Sequence, residues 1–374
     1  MRILLAPDKF KGTLAAPAVA AAMSAGVADV ITGAEVRAHP LADGGEGTLD
    51  CVNASLRGDF ATIEAEDAFG DPVACRALDD GERVMIAMHE TARLPARPSP
   101  SSALRASSRG TGRALVEVLE RFRDREVVVF VGGSASTDGG AGAAQAAGWR
   151  LLDAAGRDLP PGGGALRSLH RIDPPAARPP AAVVAACDVD APLLGPSGAA
   201  AVFAPQKGAG AAEARVLEEG LAVLAERLRS DVGVDVGSLA GAGAGGGMGA
   251  GLAAFFGARV VRGFDLVAGV TAFTAAIEWA DAVLTGEGRV DDGTLGGKVV
   301  ARVAEAAASY GKSCGVVAGE VRLRAEHLPA HVTLGVAAVG DLVSECGRAR
   351  AFAEPADCVR ATTAALAAGL FSGG

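Results

Sequence analysis

Apolar and polar positions along the chain follow two regimes. In the first, a short unbroken apolar run empties into glycines and acids, and a small-residue helix follows. Arg2–Ala6 reads as a buried strand and Ala15–Val27 as an alanine-rich helix packed by its small face. Glu35–His39 reads as a second strand; it leads to Leu41-Ala42-Asp43-Gly44-Gly45-Glu46-Gly47-Thr48, with helix resuming near Leu49. Strand, glycine turn and helix make the unit from which parallel sheets are built. In the second regime, from Ala61 to Met88, shorter strands are separated by FGDP and DDGER turns, as in antiparallel hairpins.

The first regime then returns. Pro95–Pro100 is loop, and Val127–Val131 is the clearest buried strand, feeding Gly132–Gly142. After a surface linker, PPAARPP, the strand Ala182–Ala186 feeds Cys187-Asp188-Val189-Asp190. Glu213–Arg229 is an amphipathic helix, and a glycine run, Gly241–Gly251, opens the apolar helix Leu252–Phe256. Ala282–Leu284, a helix over Val299–Ala308 and Gly315–Ala318 repeat the opening pattern. The expected fold is α/β. A discontinuous, doubly wound, parallel-sheet domain (1–70 and 260–374) would carry an inserted mixed α/β domain (71–259). At 374 residues the chain exceeds one ordinary core, which agrees with two domains.

Charge and composition remove some functions. A net charge of −9 with 4% aromatic residues leaves neither a basic stripe nor stacking platforms for nucleic acid. The opening apolar run is too short for a signal peptide, and no apolar stretch spans a membrane free of charge or clustered glycine. A cytoplasmic location is expected. Six cysteines lie scattered without a C-x-x-C pair, as reduced, mostly buried thiols would.

The chemistry gathers in the glycine-rich loops. Backbone N–H groups freed by glycine can face an anion, carboxylates can hold Mg²⁺, and lysine balances phosphate charge. Trp279–Lys298 ends in Gly297-Lys298 but lacks the P-loop spelling at Asp292 and Val299. Gly311-Lys312-Ser313 has a helix before it and a strand after it, the wrong order for a P-loop. Gly241–Gly246 spells G-x-G-x-x-G with Asp265 near the acidic spacing, yet no good strand precedes it. Singly, Asp43, Glu46 and Asp138 could be helix caps; Asp188 and Asp190, alternating after a strand, are harder to read as packing. Of the histidines, His39 ends a strand, His170, His327 and His331 lie in loop-like contexts, and His89 after VMIAM could face a pocket. No G-x-S-x-G elbow offers a serine for a hydrolase triad.

Eight ordered blocks, APDKFKGTL, LADGGEGT, SSRGTG, GGSASTDGGAG, ACDVDAPLLGPSGA, FAPQKGA, GAGAGGGMGAGL and LTGEGRVDDGTLGGK, resemble those of the bacterial type I glycerate kinases across nearly the whole chain. The resemblance implies an ATP- and Mg²⁺-dependent kinase acting on D-glycerate at the 2-hydroxyl, with two α/β domains and the active site in the cleft between them. It implies Asp188 as the base, with Lys9 and Asp190 beside it in catalysis. Lys11, Asp43, Glu46, Arg109 and Lys207 would meet substrate. Ser134, Thr137, Asp138, Gly243, Gly245, Gly286, Glu287 and Lys298 would line the nucleotide, and Asp190, Glu287 and Asp291 the metal. The expected partners are a small hydroxy acid and ATP; a homodimer is compatible with the sequence.

The family pattern is broken in places. Where it reads IEMAxAxGL, this chain has Ile86-Ala87-Met88-His89-Glu90-Thr91-Ala92-Arg93-Leu94. A carboxylate is missing at Ala87, and His89, Glu90 and Arg93 are new. Gly296 replaces the histidine of TLHGK, Gly293 a nearby glutamine, and Arg113 the glutamate of GTGEL. These changes open a second reading, ranked behind glycerate kinase: a kinase of the same fold acting on another hydroxy acid or a carrier-linked acyl group. An NAD-dependent oxidoreductase and a non-catalytic binding protein are the remaining alternatives.

Overall fold

The computed structural model describes residues 1–177, 182–188, 190–291, 294, 298–322 and 336–371. Part of the PPAARPP linker, His327, His331, Gly293 and Gly296 lie outside the described residues. In chain order the strands are β1 (Arg2–Leu5), β2 (Glu35–Ala38), β3 (Asp59–Glu66), β4 (Pro72–Asp79), β5 (Arg83–Ala87), β6 (Glu126–Phe130), β7 (Arg150–Leu152) and β8 (Arg171–Asp173). They continue with β9 (Val183–Ala186), β10 (Arg259–Val261), β11 (Ala282–Glu287), β12 (Val290–Asp291), β13 (Ser313–Ala318), β14 (Val321–Arg322) and β15 (Val336–Asp341). The protein is mixed α/β with parallel sheets.

Two compact units divide the chain: Met1–Asp43, Asp50–Leu56 and Phe264–Gly374 form the first, Gly44–Leu49 and Arg57–Gly263 the second. The first unit is built on a five-stranded sheet in the order β15-β13-β11-β1-β2, every pairing parallel. Helices cover both faces, so its central strands are apolar on both sides. Leu284 and Val317 pack with Val19, Met23, Val359 and Leu366 of the helices Ala16–Val30 and Pro355–Phe371. Val316 and Ala318, one residue out of step, pack with Val300 of the helix Val299–Ser309. This two-residue alternation is the geometry of a strand.

The second unit is built on a six-stranded sheet, β10-β9-β6-β5-β4-β3. β3, β4 and β5 are antiparallel, as their turn-rich spacing leads one to expect, and β5, β6, β9 and β10 are parallel. β3, which lies before residue 70, pairs with β4 along its whole length.

The glycine run differs from its expected form. The helix there spans Ala244–Phe256 and is interrupted at Gly245, Gly246 and Gly247, which take φ of 62°, 73° and 92°. These backbone angles favour glycine. All six cysteines are free; Cys346 is half-buried and the others are buried. Among the described residues, no helix is long and apolar enough to cross a membrane.

Candidate active site

Several of the polar residues singled out by the sequence, among them Lys9, Asp43, Ser134, Asp188 and Glu287, follow or end strands at their carboxyl ends, where ligands of open α/β sheets bind. In the first unit β1 is flanked by β11 and β2, so the strand order reverses beside it. Asp8 and Lys9 follow β1, Asp43 follows β2, and Glu287 ends β11. The Asp8 backbone N–H donates to the Gly286 carbonyl at 2.8 Å, which ties the two loops together.

Lys9 Nζ lies 3.0 Å from Asp43 Oδ1 and 3.6 Å from Asp8 Oδ1. Burial works against its charge, but Asp43 and Asp8 hold the ammonium above its ordinary pKa. Burial, and then Asp43, push the Asp8 carboxyl up to about 6 against the pull of Lys9. Asp8 was not among the expected residues, although an acid straight after a buried strand and before Lys9 is a visible signal. Burial raises Glu287 to about 7, opposed by the hydrogen bond from Thr294 Oγ1 at 2.6 Å and by Lys298. Lys298 Nζ reaches Asp291 Oδ1 at 3.7 Å. Lys11 is exposed, and Gly286 is buried within β11, where a Cβ would meet the Val317 carbonyl at 2.4 Å.

In the second unit the edge is formed by the segments after β5, β6 and β9: His89, Gly132–Ser134 and Asp188. The Gly44–Glu46 loop closes over them. A Cβ on Gly132 would lie 2.8 Å from the Gly44 carbonyl, and one on Gly44 3.6 Å from that of Ala186. Glu46 is exposed and Asp188 half-buried.

Three segments distant in sequence meet at Lys207. Its buried Nζ donates to the Ser136 carbonyl at 2.6 Å and to Ser134 Oγ at 3.3 Å. A Cβ on Gly246 would fall 2.9 Å from this nitrogen and 2.1 Å from the Ser136 oxygen. Burial lowers the Lys207 ammonium to about 7, with Asp138 opposing. The expectation that Lys207 reaches out to substrate needs correction: two of the three ammonium donors are committed inside the protein.

Asp138 is also internal. Its Oδ2 accepts from the Ser108 N–H at 2.8 Å, Ser108 Oγ at 2.9 Å and the Gly142 N–H at 3.2 Å, and its Oδ1 from the Gly140 N–H at 3.2 Å. It shapes the loop as a cap does, and nucleotide contact by its carboxylate is not what these bonds describe. Thr137 is buried beside it. Gly243 is likewise buried, where a Cβ would lie 2.2 Å from the Pro192 carbonyl; Gly245 is half-buried over the Val131 carbonyl. These glycines permit close packing.

Asp190 is exposed and pairs with Arg262 at 2.6 Å. It belongs to the second unit, whereas Glu287 and Asp291 belong to the first. Among the described residues no three His, Cys, Asp or Glu side chains gather as a metal site. Arg109 lies 3.5 Å from Glu66, which also accepts from Arg113 at 2.7 Å. Arg113, unusual for the family pattern, thus has an internal partner. So does Glu90, which takes three hydrogen bonds from Arg76 at 2.7 to 2.9 Å.

The P-loop echo at Gly311 is the turn between the helix Val299–Ser309 and β13. No strand precedes the G-x-G-x-x-G spelling at Gly241–Gly246, where residues 233–243 are turn and coil. A dinucleotide fingerprint is therefore not formed there.

Residues 3–370 match the family described as "Glycerate kinase family". The chain belongs to the glycerate kinase family. A protein named glycerate kinase from Halalkalibacterium halodurans is 40% identical over 325 residues, 85% of each chain. One named glycerate 2-kinase from Escherichia coli is 35% identical over 327 residues, 86% of each. A solved structure from Salmonella typhimurium, described as a glycerate kinase 2, is similar with a TM-score of 0.82 and 36% identity. That match covers 100% of this chain and 99% of the other. Membership makes the chain a phosphotransferase by family and removes the nicotinamide reading.

Proposed function

We propose that the chain transfers the terminal phosphoryl group of ATP to D-glycerate, forming 2-phosphoglycerate. The family match over residues 3–370, with relatives named for this acceptor, carries the reading. The carboxyl-edge clusters support it, because phosphoryl transfer needs positioned charge more than covalent chemistry. Asp188 is the base that receives the hydroxyl proton. Lys9, fixed by Asp43 and Asp8, is the cation that neutralises charge on the transferred group. Lys11, Glu46 and Arg109 face the acceptor, and Lys207 holds Ser134 in place for the nucleotide side. The reading asks both units to serve one reaction.

The donors at the first unit's edge are carboxylate oxygens, which suit a hard divalent cation. Magnesium commonly takes only one or two protein carboxylates and leaves the rest of its shell to water and phosphate. Glu287 and Asp291 are the candidates there and Asp190 the one in the second unit, and Mg²⁺ bound by any of them would screen the triphosphate charge. A second reading, the same chemistry on a different hydroxy acid, is favoured by His89, a buried new residue in the altered Ala87–Arg93 segment.

A coupled ADP-release assay across D-glycerate and related hydroxy acids tests the proposal. ATP- and glycerate-dependent turnover is expected in the wild type. Asp188→Asn should lower kcat at least a hundredfold without loss of fold, in line with the general-base contribution of about 10² to 10⁴. Near-normal turnover in that variant would refute the role of Asp188.

A further inference from the structure

His89 is 6% exposed, and its Nδ1 is buried without a hydrogen-bond partner among the described residues. A buried polar nitrogen left unpaired is costly and rare, so it calls for a partner. The chain shows what a structural histidine looks like elsewhere: His39, also buried, engages Thr271 Oγ1 through Nε2 at 3.0 Å. Among the described residues His89 has no such anchor. Its neighbour Glu90 cannot serve, being occupied by Arg76.

The surroundings place this ring at the second unit's loop edge. A Cβ on Gly133 would lie 3.1 Å from the His89 Cβ. Arg93 pairs with Ser134 through a backbone bridge, and the Ala135 N–H donates to the Ala92 carbonyl at 2.6 Å. His89 is thereby packed against the loop that carries Ser134. Burial lowers its pKa; Glu90 and Glu46 oppose that, and Arg93 and Arg76 reinforce it. The ring is therefore neutral near pH 7, with one N–H and one lone pair. A hydroxyl, donor and acceptor at once, complements it better than a carboxylate, which can only accept.

We propose that His89 is a specificity-determining residue whose Nδ1 hydrogen-bonds a hydroxyl of the hydroxy-acid acceptor, beside Ser134 and Glu46. The inference rests on the kinase reading above. It makes the altered Ala87–Arg93 segment the place where this chain chooses its acceptor.

The test uses the full-length protein labelled with ¹⁵N, without nucleotide. The imidazole resonances are assigned with His89→Gln, and D-glycerate, D-lactate and propionate are added in turn. Propionate lacks the hydroxyl. A saturable shift of the His89 Nδ1 signal with a hydroxy acid, and none with propionate, is expected. In steady-state kinetics His89→Ala should raise the acceptor KM at least tenfold while the ATP KM stays within twofold, and His89→Gln should fall between. An unmoved Nδ1 signal, or an acceptor KM within twofold in a folded His89→Ala, overturns the inference. Turnover of glycerate with a silent His89 sinks the inference alone. A His89 shift with lactate in an enzyme that ignores glycerate sinks only the glycerate reading.

Discussion

His39 sits at the end of β2, packed near Phe273 with ring centroids 5.6 Å apart, and burial lowers its pKa to about 4. Above the ordinary value of about 6.5 both folded and unfolded chains carry it neutral, and its contribution is fully present. As pH falls from there towards 4, the unfolded chain takes up a proton that the folded chain refuses, so stability is lost. The full effect is roughly 3 kcal/mol. His39→Gln keeps a donor for Thr271 but does not titrate. Thermal denaturation of this variant between pH 6.5 and 4 should show a flatter loss of Tm than the wild type. Equal slopes would mean that His39 is not held neutral. At the same scale, sequence singled out Lys9, Asp43, Glu287 and Lys207, and the structure pairs Lys9 with Asp43 and buries Glu287 and Lys207. Sequence could not say that Lys207 and Asp138 turn inward, because the direction of a side chain depends on segments far away in the chain.

The glycine run Gly241–Gly251 packs closely against its neighbours. Sequence marks it as backbone laid open for a ligand. In the structure Gly243, Gly246 and Gly251 let the run press against the residues 136–140 and 192, with hypothetical Cβ distances of 2.1 to 2.5 Å to carbonyl oxygens. Two substitutions separate conformational strain from crowding. Gly257 has φ of +66° and open space around it, so Gly257→Ala should cost about 1 to 2 kcal/mol, the left-handed penalty alone. Gly246→Ala adds a collision with the Ser136 carbonyl, and should destabilise by at least about 2 kcal/mol more. Chemical denaturation of the two variants decides this; equal losses would mean that the packing at Gly246 yields easily. Buried parallel strands such as β6, β9 and β11 were legible because both faces are covered and their apolar runs are unbroken. The edge strand β15 was not, because its outer face is partly exposed and its run is weak. The helix Arg109–Arg121 was hidden behind the glycines of the SSRGTG block that opens it.

At the scale of the molecule, the recurring strand-to-glycine-loop pattern led to the expectation of candidates at the carboxyl ends of strands; Lys9, Asp43 and Glu287 follow or end strands of the first unit, and His89 and Asp188 follow strands of the second. What composition could not supply was the acceptor. The family resemblance brought ATP and glycerate into view, and the ordered blocks gave it specificity no single loop has. If both units serve one reaction, Lys9→Met in the first and Asp188→Asn in the second should each lower turnover at least a hundredfold in protein that still folds. Full activity in either folded variant would confine the chemistry to one unit. The most direct test of the whole account is ³¹P NMR of the purified protein incubated with ATP, Mg²⁺ and D-glycerate. A growing signal of glycerate phosphorylated at the 2-hydroxyl, matched by ADP and absent with Asp188→Asn, is the predicted result. ATP left intact beside D-glycerate and every other hydroxy acid supplied would contradict it.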